Sequence, residues 1–544
     1  MAEEHTGTTP EETDVQVREE QVASVGRSAM LMSALVIVSR ITGFVRTWAQ
    51  AFALGATVLA SCYAVANNLP TQIYEIVTAG MLVTAFLPVY MSVKKRLGTD
   101  AASDYVSNLT SIVLVITLAV TLLSIAFAAQ IVWTQSFSAA EEFDASLAVW
   151  FFRFFAIEIV LYALSTIFSG VVNAERDYLW SSLAPIFYNL CTIASFLIYA
   201  VLADTNPVLG LVILGIGNPL GVFMQMALQI PSMYRHGVRL RFRIDLKDPA
   251  LKDTLKIGVP SIVILITSFV TASIQVNAAL GFTAVGAAVA DYAHPWYTLP
   301  YAVLCVPIMT TLFTELSDEF AQGRIDAFCS TVSLGASQIL FFLIPFALYL
   351  MVFSTPLISV FGTRFSSEAI ALAAVYLMGR APSLPVYGVG MYLQKVFSST
   401  RKMELFAFAN VLGSALQVVL LLFVAPHIGL WFVPFTSFIF FAFFDAFMFL
   451  SLKRDYPQIA LRPLAVGILR SLALGLAGSA VGWTILHFAT PFFTAHFSIV
   501  ISSVLLCVVA GIPSVIATYG LALALKVPEA DVVSVLMNRL LKRG

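Results

Sequence analysis

Charge is what this 544-residue chain has least of. Only 11% of its residues are Asp, Glu, Lys or Arg, while 59% are hydrophobic; soluble domains carry about 25% charged residues. That scarcity, with a mean hydropathy of +0.89, excludes a water-soluble domain and requires an integral membrane protein of many helices. The net charge is −1, and no nucleic acid is expected as a partner. Cysteines number five (Cys62, Cys191, Cys305, Cys329 and Cys507). None has CxxC spacing, so they read as small core residues rather than metal ligands or a disulfide framework. Residues 1–27 are acidic and polar with no basic n-region, which predicts a disordered cytoplasmic tail rather than a signal peptide. Catalytic signatures are missing too. There is no DDxxD and no HxxxxD, and the acids of AAEEFD (139–144) read as a solvated loop. The chain is not expected to be an enzyme.

Long apolar runs are what it does have. Runs of about 18 residues or more predict an all-α polytopic protein of about fourteen transmembrane helices, starting at 28–54 and 59–92 and ending at 464–487 and 497–525. Pro70, Pro300 and Pro385 fall inside spans, where kinks are expected. With the N-terminus inside, 23 of the 30 basic residues lie on the cytoplasmic side and only Arg364 outside. The positive-inside rule then gives a plasma-membrane protein with both termini cytoplasmic.

An internal repeat divides the spans. Tyr63-Ala64 precedes Leu69-Pro70 as Tyr292-Ala293 precedes Leu299-Pro300, an offset of 229. FSGVVNAERDY around Arg176 and VFSSTRKM around Arg401 are offset by 225. Two pseudo-symmetric six-helix lobes follow: an N-lobe over 28–232 and a C-lobe over 256–455, joined by a basic cytoplasmic linker at 233–255. Two extra helices fill 456–525, and 526–544 reads as an amphipathic helix on the inner leaflet. In parallel repeats of this kind the substrate sits near the midplane between lobes that rock.

The few charges inside the spans are the candidate functional residues, because ionisable groups at depth usually face a bundle interior or a watery cavity. The first span carries SRITGFVR, with Arg40 and Arg46 some 240° apart on a helix. The second carries Pro70, Glu75, Gly80 and Pro88. Arg153 reads as a snorkelling residue, Lys395 as facing the cytoplasmic end, and Arg380 as lying nearer the outer end. His294, near Asp291, reads as packing. Asp445, alone in FIFFAFFDAFMFL, needs a partner, a proton or a cation such as Na⁺.

SRITGFVR followed by NNLPTQIYEIVTAGMLVTAFLPVY resembles the lipid II flippase family MurJ (MviN), of the superfamily that also holds multidrug extruders and polysaccharide flippases. ELSDEFAQGR, VFSSTRKM and LRLRFRIDLKDPALKDTLKIGVP match more weakly. The resemblance implies alternating-access transfer of a lipid-linked disaccharide-pentapeptide from the inner to the outer leaflet for peptidoglycan synthesis. It also implies contact with membrane lipids and cell-wall synthesis proteins. The nearest alternatives are a flippase for another polyprenyl-linked glycan and, further off, a multidrug or cation antiporter. In well-studied Gram-negative members the position of Ser61 is aspartate, those of Tyr74 and Glu75 are arginine, and that of Ala79 is glutamate; the Tyr-Glu pair looks closer to the actinobacterial branch. For a diphosphate cargo, Arg40 and Arg46 are the expected clamp, since guanidinium stays charged and donates bidentate hydrogen bonds. Glu75 is placed to pair with one of them, Gly43 and Gly80 to let helices approach or bend, and Arg380 to help release the headgroup. No cofactor is expected; coupling to Na⁺ or protons is open.

Overall fold

The computed structural model describes residues 34–530, the side chains of 79–85 and 252–261 excepted. The termini lie outside the described residues, which takes in the expected tail at 1–27 and all of the expected tail at 526–544 beyond Ala530. Among the described residues every regular element is helical. The order is α1 (34–54), α2 (Val58–Tyr74), α3 (Gly80–Ala126), α4 (Ala128–Trp133), α5 (Ala145–Phe155), α6 (Glu158–Ala174) and α7 (Tyr178–Leu202). Then come α8 (Pro207–Ala227), α9 (Ile230–Arg235), α10 (Pro249–Phe282), α11 (Gly286–Pro300), α12 (Val306–Ala321), α13 (Ile325–Val352) and α14 (Ser354–Ser359). The chain closes with α15 (Ser367–Arg380), α16 (Ser383–Ser399), α17 (Met403–Val419), α18 (Ala425–Ile428), α19 (Phe432–Asp455), α20 (Leu461–His496) and α21 (Ile499–Ala524).

Fourteen spans were expected. Among the described residues eleven helices are long and apolar enough to cross a membrane, or twelve counting α15 and α16 as one span bent by 46°. The helix α1 is not among them, because its two arginines offset its apolar residues. Gly98 (φ 87°) breaks α3 into the end of one span and the start of the next. Pro70 and Pro300 are each followed by a π-helical segment, Glu75–Ala79 and Tyr301–Cys305. A π-helical turn of this kind marks a local departure from the α-helical ladder.

The stretches matched by sequence share local backbone features. The helix that ends in the first Pro-π element starts at Val58 and its counterpart at Gly286. Arg176 and Arg401, paired by sequence, are two of only three non-glycine residues with positive φ among the described residues, at 61° and 58°. Both sit at the same helix terminus. Arg176 N–H donates to Asn173 O and Asp177 N–H to Val172 O; Arg401 N–H donates to Ser398 O and Lys402 N–H to Phe397 O. This is the Schellman closure, in which a left-handed residue turns the last free carbonyls onto N–H groups.

The chain forms two compact units. One takes the chain up to Arg46, Met81–Thr121 and Ile157–Gly258; the other takes Thr47–Gly80, Leu122–Ala156 and everything from Val259 on. In the first, α7 and α8 pack along each other and α6 packs on both. The second is centred on α13, α16 and α19, with Leu316, Phe328, Ile339, Leu343, Tyr392 and Met448 in its core, and α20 and α21 pack on α13 and α14.

Part of the basic linker is ordered within the first unit. Ser103, Ser107 and Ser111, spaced four apart on α3 and so on one face, bind its backbone. Arg239 N–H donates to Ser103 Oγ (2.9 Å), Arg241 N–H to Ser107 Oγ (3.1 Å) and Arg243 N–H to Ser111 Oγ (3.0 Å). Asn108 brackets Asp245, accepting from its N–H (2.7 Å) and donating to its carbonyl (2.9 Å).

Candidate substrate-handling site

The arginines of α1 have different environments. Arg40 is exposed, while Arg46 is half-buried. Arg46 Nη1 donates to Tyr188 Oη on α7 (2.7 Å), and its guanidinium lies 5.2 Å from the centre of that ring. Tyr188 Oη donates in turn to Asn218 Oδ1 on α8 (2.9 Å), and Asn218 Nδ2 donates to Glu158 Oε1 on α6 (2.9 Å). The donors all point one way. A cation at one end and a fully buried carboxyl group at the other are thus joined through two neutral side chains that each polarise the next. The relay fixes where Arg46 points and supplies Glu158 with a donor, although Glu158 Oε2 has no hydrogen-bond partner.

Gly43 lies between the two arginines at the crossing of α1 and α7. A Cβ there would stand 3.7 Å from Asn189 Nδ2, which donates to Thr42 Oγ1 at 3.0 Å. Glu75 opens the π-helical segment and is exposed; among the described residues it forms no ion pair. The surroundings of Gly80 lie outside the described residues. Arg153 is exposed, and Lys395, also exposed, lies over the ring of Phe313 (5.2 Å).

In the second unit Arg380, at the end of α15, is set among tyrosines rather than acids. Its guanidinium lies 4.5 Å from the centre of the Tyr297 ring, a cation–π contact. Ser383 Oγ donates to Tyr297 Oη (3.0 Å), and Tyr297, Tyr301 and Tyr387 pack ring against ring. Asp445 is 6% exposed, and neither of its oxygens has a hydrogen-bond partner. A Cβ on Gly390 would stand 3.2 Å from its Oδ1. A hard cation takes several oxygen ligands. Among the described residues Asp445 belongs to no group of three or more His, Cys, Asp or Glu side chains.

The α1–α2 turn docks on α11 inside this same unit. Gln50 Nε2 donates to Asp291 Oδ2 (2.9 Å), Tyr292 Oη to Gly55 O (2.7 Å), and Ala288 N–H to Ser61 Oγ (3.1 Å). The last bond gives a partner to one of the N–H groups that a helix start leaves free. Ser61 here acts as a cap supplied by another helix.

One carboxylate outside the spans is also organised. Glu175 accepts from Tyr90 Oη (2.6 Å) and Lys94 Nζ (2.6 and 2.5 Å), with His236 Nδ1 at 3.9 Å. Burial pushes its carboxyl up, but the hydrogen bonds from Lys94 and Tyr90 outweigh burial and hold it below the usual carboxylate range.

Sequence reasoning singled out Arg46 but not the relay beyond it. Tyr188 and Asn218 were signalled only weakly, as polar side chains in the apolar runs IFYNLCT and LGIGNPLG, where an amide must find a partner.

The helical plan, its proline-linked π segments and the polar groups held at depth define a multi-pass membrane protein of the transporter class. The solved structures it resembles have the same fold. One is "Lipid II flippase MurJ, inward closed conformation" (TM-score 0.73, 19% identity, 91% of this chain and 99% of that one). Another is an inward-facing multidrug-resistance MATE transporter of the MOP superfamily (TM-score 0.63, 14% identity, 78% and 98%). The profile of the family "Lipid II flippase MurJ" matches residues 50–504, and the chain belongs to that family. The arginine pair of α1 lies just ahead of the matched stretch. Relatives include a probable lipid II flippase MurJ of Borreliella burgdorferi, 23% identical over 74% of this chain and 78% of that protein. The lipid II flippase MurJ of Burkholderia cenocepacia is 25% identical over 67% and 70%.

Proposed function

We propose that this protein is a lipid II flippase, carrying the lipid-linked disaccharide-pentapeptide from the inner to the outer leaflet for peptidoglycan synthesis by alternating access between its two repeats. The observation that carries the reading is Arg46, a guanidinium held on α1 by Tyr188 in a chain of the flippase family. A diphosphate dragged through a membrane needs a fixed positive charge with bidentate donors and shelter from hydrocarbon, while its polyprenyl tail needs neither. Arg40, exposed on the same helix, is the first contact in this scheme and Arg46 the second. Glu75 limits how tightly the anion is held, and Arg380, lying on an aromatic ring with no carboxylate as ion-pair partner among the described residues, meets the departing headgroup. Both termini are cytoplasmic in this scheme.

Complementation tests the reading. Cells depleted of their own lipid II flippase and expressing this chain should survive without accumulating lipid II. Failure despite normal expression and membrane insertion would overturn it in favour of another polyprenyl-linked glycan.

A further inference from the structure

The linker held by α3 has a second face that the fold leaves uncovered. Residues 239, 241, 243 and 245 turn their N–H groups to Ser103, Ser107, Ser111 and Asn108, the period of two of an extended chain. Side chains alternate with the same period. Arg239, Arg241 and Arg243 therefore share one side of the segment, while Leu240, Phe242 and Ile244 share the other. Phe242 is 72% exposed, Ile244 49% and Leu246 67%. The three arginines are exposed as well, with Arg243 tethered to Asp104 at 2.8 Å.

The register matters as much as the composition. The anchoring residues 103–111 follow the Gly98 break and lead into the apolar second part of α3. The segment is therefore held beside the start of a span. Its backbone could not lie there unsatisfied, and the serine ladder supplies partners on the α3 side. A stretch with apolar side chains on one face and guanidinium groups on the other, fixed beside a span, matches the boundary between acyl chains and headgroups.

We propose that residues 239–246 form an interfacial anchor for anionic phospholipid, with Phe242, Ile244 and Leu246 entering the acyl boundary and Arg239, Arg241 and Arg243 binding lipid phosphates. The charge complementarity is direct: three guanidinium groups within five residues face the negatively charged leaflet, each adding about 1 kcal/mol of attraction, about fivefold in binding. The serines are the positioning residues. They hold a segment with no helix of its own at the depth its side chains require.

The test places a spin label at Phe242→Cys in the full-length protein, with the half-exposed Cys191 and Cys507 changed to alanine. The protein is reconstituted in vesicles of phosphatidylcholine with or without phosphatidylglycerol. The label should be reached by oxygen and shielded from a water-soluble nickel relaxant. The shielding should deepen with phosphatidylglycerol, and R239Q/R241Q/R243Q should abolish that dependence. Ser107→Ala with Ser111→Ala should loosen the label while the arginines remain. A label open to nickel in both vesicles overturns the proposal. So does shielding that ignores phosphatidylglycerol and appears only when lipid II is added, which would make the segment part of the substrate path.

Discussion

Removing a single oxygen, in Tyr188→Phe, asks whether the α1 arginine is held by the polar relay or merely lies near it. The change deletes the acceptor for Arg46 Nη1 (2.7 Å) and the donor to Asn218 Oδ1 (2.9 Å) while keeping the ring beneath the guanidinium. Side-chain hydrogen bonds between membrane helices average about 0.6 kcal/mol, so two give a floor of about 1.2 kcal/mol. Hydrogen bonds to charged groups in buried sites reach about 1.5–3 kcal/mol, which sets a ceiling of about 4. A loss of about 1–4 kcal/mol is therefore expected in reversible unfolding of the purified protein. Tyr188→Leu, which also removes the cation–π contact, should cost about 0.5–1 kcal/mol more. The relay makes one further demand: Tyr188→Phe and Glu158→Gln touch opposite ends of the same chain of bonds, so their effects should not add. A Tyr188→Phe protein of wild-type stability, or strict additivity with Glu158→Gln, would refute the relay.

Other consequences are simpler. Arg401 holds a left-handed conformation that glycine adopts freely, so Arg401→Gly should gain up to about 1 kcal/mol in thermal stability, less what the charge gave the helix end; a loss would show that the side chain matters more than the turn. Glu175 titrates below its unfolded value, so its contribution to stability is present above the usual carboxylate range and lost as pH falls through the folded value. Proteolysis of the loop around Arg176 should therefore rise on acidification below about pH 4 in the wild type, with a flatter profile in Glu175→Gln. Asp445 is buried without a donor, and an uncompensated buried charge is costly. Asp445→Asn should therefore match or exceed wild-type stability in Na⁺-free buffer; a Na⁺-dependent gain seen only in the wild type would instead place a cation there.

How much of this was legible in the sequence depended on distance along the chain. Hydropathy is local, so the spanning helices and the breaks after Pro70 and Pro300 could be read directly. The pairing of Arg176 with Arg401 rested on short, weakly similar strings. Each string ends a helix by the same left-handed turn, a feature that neither string announces. The relay could not be read, since Tyr188 and Asn218 are 30 residues apart and no periodicity connects them. The linker was an intermediate case. Serines at 103, 107 and 111 mark a polar stripe on an otherwise apolar helix, but only the fold reveals that backbone from residues 239–243 fills it. Glu75 was expected near an arginine and stands exposed, because its position beyond Pro70 fixes its place on the helix and not its partner.

Transfer of lipid II by the purified protein bears on the central claim most directly. In vesicles carrying fluorescent lipid II, the wild-type chain should move it across the bilayer. Loss of a charge-assisted contact worth about 1.5–3 kcal/mol should slow Arg40→Ala and Arg46→Ala by roughly tenfold or more, with Arg46→Lys only partly restored because ammonium lacks the bidentate fork. Transfer at the wild-type rate by both alanine variants would contradict the account.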